Sequence, residues 1–199
     1  MNKPAPHPIR LGITGGIGSG KSYVCRILEE QFHIPVYYCD DEAKRLNVEH
    51  PQIRQELTLL VGPDVYLPDG SLNKPVLAQY LFAGPEHARE VNAIVHPRLK
   101  EDFAVWASRA QVPVVATESA ILFESGLDQL VDFSILVTAP PEVRLERILQ
   151  RDSTTRQKAE QRMKLQLDDE AKIQLSDYVV RNDGHTPLIP QLEQIIKNF

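Results

Sequence analysis

The sequence predicts an α/β fold of three layers, with a parallel sheet between helices. Three observations carry this. A short apolar stretch, Ile9-Arg10-Leu11-Gly12-Ile13, runs into Gly15-Gly16-Ile17-Gly18-Ser19-Gly20-Lys21-Ser22 and then into a helical pattern of Val24, Ile27, Leu28 and Phe32. Near-continuous apolar runs recur at Val112–Glu118, Asp132–Val137 and Tyr178–Val180, as strands buried on both faces require. Helical spacings fill the gaps, and strand alternating with helix implies a parallel sheet.

The glycine-rich octapeptide fits G-x-x-x-x-G-K-[ST], the phosphate-binding P-loop, and it stands in the strand–loop–helix setting the motif needs. Glycines let amide N–H groups approach an anion, and the N-terminus of the following helix adds positive potential. The expected nucleotide contacts are Gly16, Ile17, Gly18, Ser19, Gly20, Lys21, Ser22 and Tyr23. Lys21 should reach the β- and γ-phosphates, and the Ser22 hydroxyl should hold Mg²⁺. A dinucleotide fingerprint, G-x-G-x-x-G, cannot be read from these glycines.

The 199 residues suit one domain with insertions, and 42% hydrophobic with 25% charged residues is ordinary for a globular chain. The net charge of −5 argues against non-specific binding to nucleic acid or anionic membrane. No apolar run is long enough to span a bilayer, and no signal peptide is recognisable. Two cysteines, Cys25 and Cys39, make no disulfide framework, and a cytosolic setting is the simplest expectation.

Met1–Pro8, with three prolines, reads as a disordered leader. A second strand is expected over Ile34–Cys39, ending at Asp40-Asp41, followed by a short helix over Glu42–Val48 and a break at His50-Pro51. From about residue 52 to 108 only helical patterns appear, punctuated by Gly62-Pro63 and Pro68-Asp69-Gly70, and this reads as a helical substrate-binding insertion. His96-Pro97 falls between two of these patterns. The last helix carries Leu188, Leu192, Ile195, Ile196 and Phe199 on one face.

Several side chains could carry chemistry. Asp40, at the carboxyl end of the second strand, can accept a proton from an attacking hydroxyl; Asp at this place also caps helices, and Asp41 suits that role. Glu118 ends the third strand, where a carboxylate can organise Mg²⁺ or its waters, or simply be a hydrogen-bonded strand end. Arg144, Arg147 and Arg151 lie at i, i+3 and i+7, on one side of a helix. Between Arg144 and Lys164 stand seven basic and three acidic residues, a basic island in an acidic chain that suggests a phosphate-rich partner. Arg147 and Arg151 read as parts of a mobile lid over the nucleotide, covering about residues 142–172; Arg144 reads as a solvated position on that helix.

Taken together, these residues make the chain resemble the dephospho-CoA kinase family, from about Ile9 to about Ile196. The likeness rests on Thr14 to Ser22, the strand end at Asp40, Val95-His96-Pro97, Leu122-Phe123-Glu124, Arg147 with Arg151-Asp152, Gln166, and Asp177 to Gly184. The resemblance implies transfer of the ATP γ-phosphate, with Mg²⁺, to the ribose 3′-hydroxyl of dephospho-CoA. It also implies a nucleotide-binding core, a helical CoA-binding lobe and a lid. By position Asp40 is the general base, and His96 becomes a substrate-pocket residue. Two departures stand out: Tyr38-Cys39 replaces the first two residues of the family's Asp-Ala-Asp, and Ala120 stands where the family carries Pro before Leu-Leu-Phe-Glu. The nearest rival is another small-molecule P-loop kinase, for nucleosides or nucleotides. A nucleotide switch is disfavoured, because no Asp-x-x-Gly occurs.

Overall fold

The computed structural model describes residues 7–199; the leader expected over Met1–Pro8 therefore lies, as far as residue 6, outside the described residues. In chain order the elements are β1 (Ile9–Thr14), α1 (Lys21–Phe32), β2 (Val36–Tyr38), α2 (Cys39–Glu49), α3 (Pro51–Val61), α4 (Lys74–Phe82), α5 (Pro85–Ser108), β3 (Val114–Glu118), β4 (Phe133–Thr138), α6 (Pro141–Arg151), α7 (Arg156–Lys164), α8 (Asp169–Leu175), β5 (Tyr178–Arg181) and α9 (Leu188–Ile196). The described residues divide into two compact units: residues up to Tyr38 with those from Trp106 onward, and Cys39–Val105.

The first unit is built on a five-stranded sheet ordered β2-β3-β1-β4-β5, with every pairing parallel. The fold class read from the sequence is thus what the chain adopts. Apolar runs explain the order. β1 and β3 present four or five consecutive buried residues each, which only a central strand covered on both faces can satisfy. Leu11, Ile13, Ala116, Ile135 and Val137 pack with Val24, Cys25 and Leu28 of α1 and Leu192 and Ile195 of α9. Fully buried side chains such as Leu11 and Ile135 each contribute about 1.5–3 kcal/mol by leaving water. The register sets Ile13 opposite Glu118, and Glu118 opposite Tyr38. Because all strands run the same way, the segments after Thr14, Glu118, Thr138 and Arg181 leave from one edge of the sheet, where ligands of open α/β sheets bind.

The second unit is helical. α2 begins at Cys39, three residues earlier than the helix expected over Glu42–Val48, and β2 stops at Tyr38. Asp40 and Asp41 therefore belong to the first helical turn, where negative charge is favoured by the helix dipole, and not to the strand. The break at His50-Pro51 is real: α3 starts with Pro51 at a position that needs no donor, and His50 Nδ1 accepts from the Ile53 amide at 3.4 Å. α5 runs unbroken through Pro97, so the two helical patterns flanking His96-Pro97 are one helix of 24 residues. Arg98 donates to the Ile94 carbonyl at 3.2 Å, and its guanidinium also pairs with Glu56. Arg45 of α2 binds Asp102 of α5 at 2.8 Å, and the Arg54 guanidinium stacks 4.1 Å from the Tyr66 ring.

Candidate active site

The P-loop connects β1 to α1 as its motif requires. Gly20 caps α1 at φ 95°, a left-handed conformation that a side chain would strain, and a Cβ there would strike the Asn182 amide. Gly16 is glycine for space: a Cβ would run into the Arg144 guanidinium. The loop is folded on itself by the Ser19 amide donating to the Gly16 carbonyl at 3.1 Å. First-turn amides of a helix have no intrahelical acceptor, so α1 presents donors toward the loop cavity. Thr14 Oγ1 and Ser19 Oγ are buried without a protein partner among the described residues, which fits a loop whose hydrogen bonding a ligand completes. Lys21 is buried at the base of the loop, its Nζ 3.7 Å from Glu118 Oε1. Ser22 and Tyr23 are exposed on the first turn of α1.

A frame of side chains holds the loop. The amide of Ile17 donates to Gln166 Oε1 at 2.7 Å, and its carbonyl accepts from Arg144 Nε at 3.0 Å. Arg144 NH1 also reaches both oxygens of Asp169 at 3.0 Å. The Ile17 side chain packs into a small apolar cluster of Leu145, Ile148, Ala159 and Met163 on α6 and α7. Arg147 donates to the Ser19 carbonyl at 3.3 Å and to the Asn182 carbonyl at 3.1 Å, and Asn182 Nδ2 donates to Ser19 O at 2.8 Å. Asn182 is placed by the turn after β5, in which the Asp183 carboxylate accepts from the amides of His185 and Thr186. Those bonds pull the Asp183 pKa down to about 2.

The structure brings together Lys21, Glu118, Arg147 and the loop glycines, all within the first unit. Arg151 stands apart: its side chain is 62% exposed and bound to Asp152 at 2.8 Å. Arg144 corrects the sequence reading most. It is not solvated but 7% exposed, and it is the main strut between α6, α8 and the loop. Most arginines of the basic island are also paired with carboxylates, two of which, Asp169 and Glu142, lie outside it. Arg144 pairs with Asp169, Arg151 and Arg162 with Asp152, and Arg156 with Glu142 and Glu160. Its charge count alone therefore says little about a partner. The sequence marks Asn182 only within the stretch Asp177 to Gly184 and assigns it no role, although it sits directly after an apolar strand at the ligand edge; Asp169 carries no such signal.

In the second unit Asp40 is exposed on the first turn of α2, two residues beyond the end of β2. Asp41 pairs with Lys44 at 2.7 Å. His96 is half-buried on α5, and burial, then the neighbouring Lys100, lowers its pKa, so the ring is neutral at neutral pH. Among the described residues no group of three or more His, Cys, Asp or Glu is arranged to hold a metal. None of their helices is long and apolar enough to cross a membrane.

Comparison with known proteins agrees with this geometry. Residues 9–187 match the family model described as dephospho-CoA kinase. A dephospho-CoA kinase of Bacteroides fragilis is 47% identical over 189 residues, covering 94% of this chain and 91% of that protein. One from Porphyromonas gingivalis is 43% identical over 190 residues, covering 95% and 93%. The crystal structure of TT1252 from Thermus thermophilus superposes with a TM-score of 0.79 at 33% identity, covering 96% of each chain. The chain belongs to the dephospho-CoA kinase family.

Proposed function

We propose that the chain transfers the γ-phosphate of ATP to the ribose 3′-hydroxyl of dephospho-CoA, giving coenzyme A. The observation that carries this is the intact P-loop, framed by Lys21, Arg144, Arg147 and Asn182, in a chain matched to the family over residues 9–187. Phosphoryl transfer asks the protein for positioning and charge stabilisation more than for covalent chemistry. On this reading the P-loop segment from Gly16 to Tyr23 and the Lys21 ammonium hold the phosphates, while the Ile17, Ser19 and Tyr23 amides, which donate to Gln166, Gly16 and Gly20, shape the loop. Ser22 and Glu118 offer hard oxygen donors, which suit Mg²⁺, an ion that takes few protein ligands beside phosphate and water. When bound, Mg²⁺ supplies charge to the β- and γ-oxygens. Glu118 sits against Lys21, 3.7 Å from its Nζ, and would help hold the ion or its waters.

Asp40 orients the acceptor hydroxyl and takes its proton. Its exposure, and the pairing of neighbouring Asp41 with Lys44, leave it available for that work. His96, neutral and half-buried, would contact the acceptor in the helical insertion over about residues 52–108. Arg147 and Arg151 would close with the lid of about residues 142–172 over the transferring group and exclude water. The partners in this reading are ATP and dephospho-CoA, with no part for nucleic acid or membrane, and the reaction would be cytosolic. The test is an acceptor panel with ATP and Mg²⁺: dephospho-CoA, adenosine, AMP and shikimate. Preference for dephospho-CoA by orders of magnitude in kcat/KM is expected, and preference for another acceptor would refute the reading.

A further inference from the structure

We propose that Lys172, acting with Glu124, is a positioning residue for phosphoryl transfer, because together they fix the short segment that grips the tip of the P-loop; this rests on the kinase reading above. Lys172 lies on α8 with no exposed surface. Its Nζ donates to the Ala120 carbonyl at 2.8 Å and lies 3.3 Å from Glu124 Oε1. The same Glu124 oxygen accepts the Leu167 amide at 3.1 Å. One carboxylate oxygen thus pins the chain on both sides of the start of α8.

The two residues that hold Ile17 lie at these pins: Gln166 directly precedes Leu167, and Asp169 falls between Leu167 and Lys172. Gln166 takes its amide, and Asp169 holds the Arg144 guanidinium that takes its carbonyl. Both backbone polar groups of Ile17 are therefore referred, through residues 166–169, to Lys172 and Glu124. Ala120 and Glu124 follow β3, whose last residue, Glu118, lies against Lys21. The tip and the base of the P-loop are in this way tied to one stretch, residues 118–124. Packing alone would not call for this lysine, since removing an ammonium from water is costly and an apolar side chain would fill the space as well. A buried, paired lysine in such a place specifies position. A shift of about 1 Å in groups aligned for reaction can cost about a hundredfold in rate.

The experiment is a coupling measurement. Lys172→Met should lower kcat by about ten- to a hundredfold while calorimetric ATP affinity changes far less, because the interactions at stake tighten in the transition state. In a Gln166→Ala/Asp169→Ala background, where the link to Ile17 is already cut, Lys172→Met should lower kcat by less than about threefold more. An equal loss in both backgrounds, or a lower melting temperature with unchanged kcat per folded molecule, would overturn the proposal. Glu124→Gln, which keeps an acceptor oxygen, should show the same non-additivity at smaller amplitude, and it decides the matter if Lys172→Met does not fold. Amide hydrogen exchange of the Gly15–Ser22 peptide needs no acceptor. It should quicken in Lys172→Met or Glu124→Gln relative to α9, and unchanged exchange would refute positioning even if the preferred acceptor proved to be another molecule.

Discussion

Replacing Arg144 by Met tests whether the loop is held from behind. The side chain has three bonds: Nε to Ile17 O, and NH1 to both oxygens of Asp169, each at 3.0 Å. Hydrogen bonds to charged groups contribute about 1.5–3 kcal/mol each net, and breaking a fully buried ion pair costs about 3–5 kcal/mol. Asp169 is 26% exposed, so water can reach the abandoned carboxylate and the cost falls to the lower end, about 3 kcal/mol. In a chain of 199 residues a loss of 1 kcal/mol lowers the melting temperature by about 2–4 °C, which gives a fall of about 6–12 °C. Arg144→Lys keeps the charge but cannot bridge Ile17 and Asp169 with one planar fork, so about half the loss should remain. Urea titration and thermal melting of both variants measure this. A Met variant within about 0.5 kcal/mol of the parent would show that Arg144 behaves as an ordinary surface residue and would refute the strut.

Three further outcomes follow from the same geometry. Asp40→Asn should still bind ATP and dephospho-CoA by calorimetry while kcat falls by about two to four orders of magnitude; near-normal kcat would remove Asp40 from the mechanism. Arg147→Ala should lower kcat more than Arg151→Ala, since Arg147 is bonded to the loop and Arg151 to Asp152; a larger loss from Arg151→Ala would reverse that ranking. The Asp183 pKa is lowered from 3.8 to about 2, so its stabilising bonds are fully present above about pH 4 and are lost as pH falls through 2. Asp183→Ala should therefore melt below the parent at pH 6 with a gap that closes toward pH 2, and a gap independent of pH would contradict the assignment.

How much of this could be read from the chain depended on how local its cause was. The P-loop, five strands and the break at His50-Pro51 are local, set by periodicity and by residues adjacent in sequence. The start of α2 was misplaced because the apolar run through Cys39 continues strand character, while the acidic first turn that favours a helix lies just beyond it. His96-Pro97 stands between two helical patterns in the sequence, yet a helix packed along its length tolerates the one bond that Pro97 cannot donate. Arg144 and Lys172 could not be recognised, because what buries them comes from far along the chain: Ile17 is 127 residues from Arg144, and Ala120 is 52 from Lys172. Charge in a helix reads as solvated until such partners are known.

Following the γ-phosphate itself decides whether the chain carries out this transfer. With γ-labelled ATP, Mg²⁺ and dephospho-CoA, label should leave ATP and enter one product in equal amount, with the new phosphate on the ribose 3′-oxygen by ³¹P NMR. Label released as inorganic phosphate, or attached at another position, would contradict it.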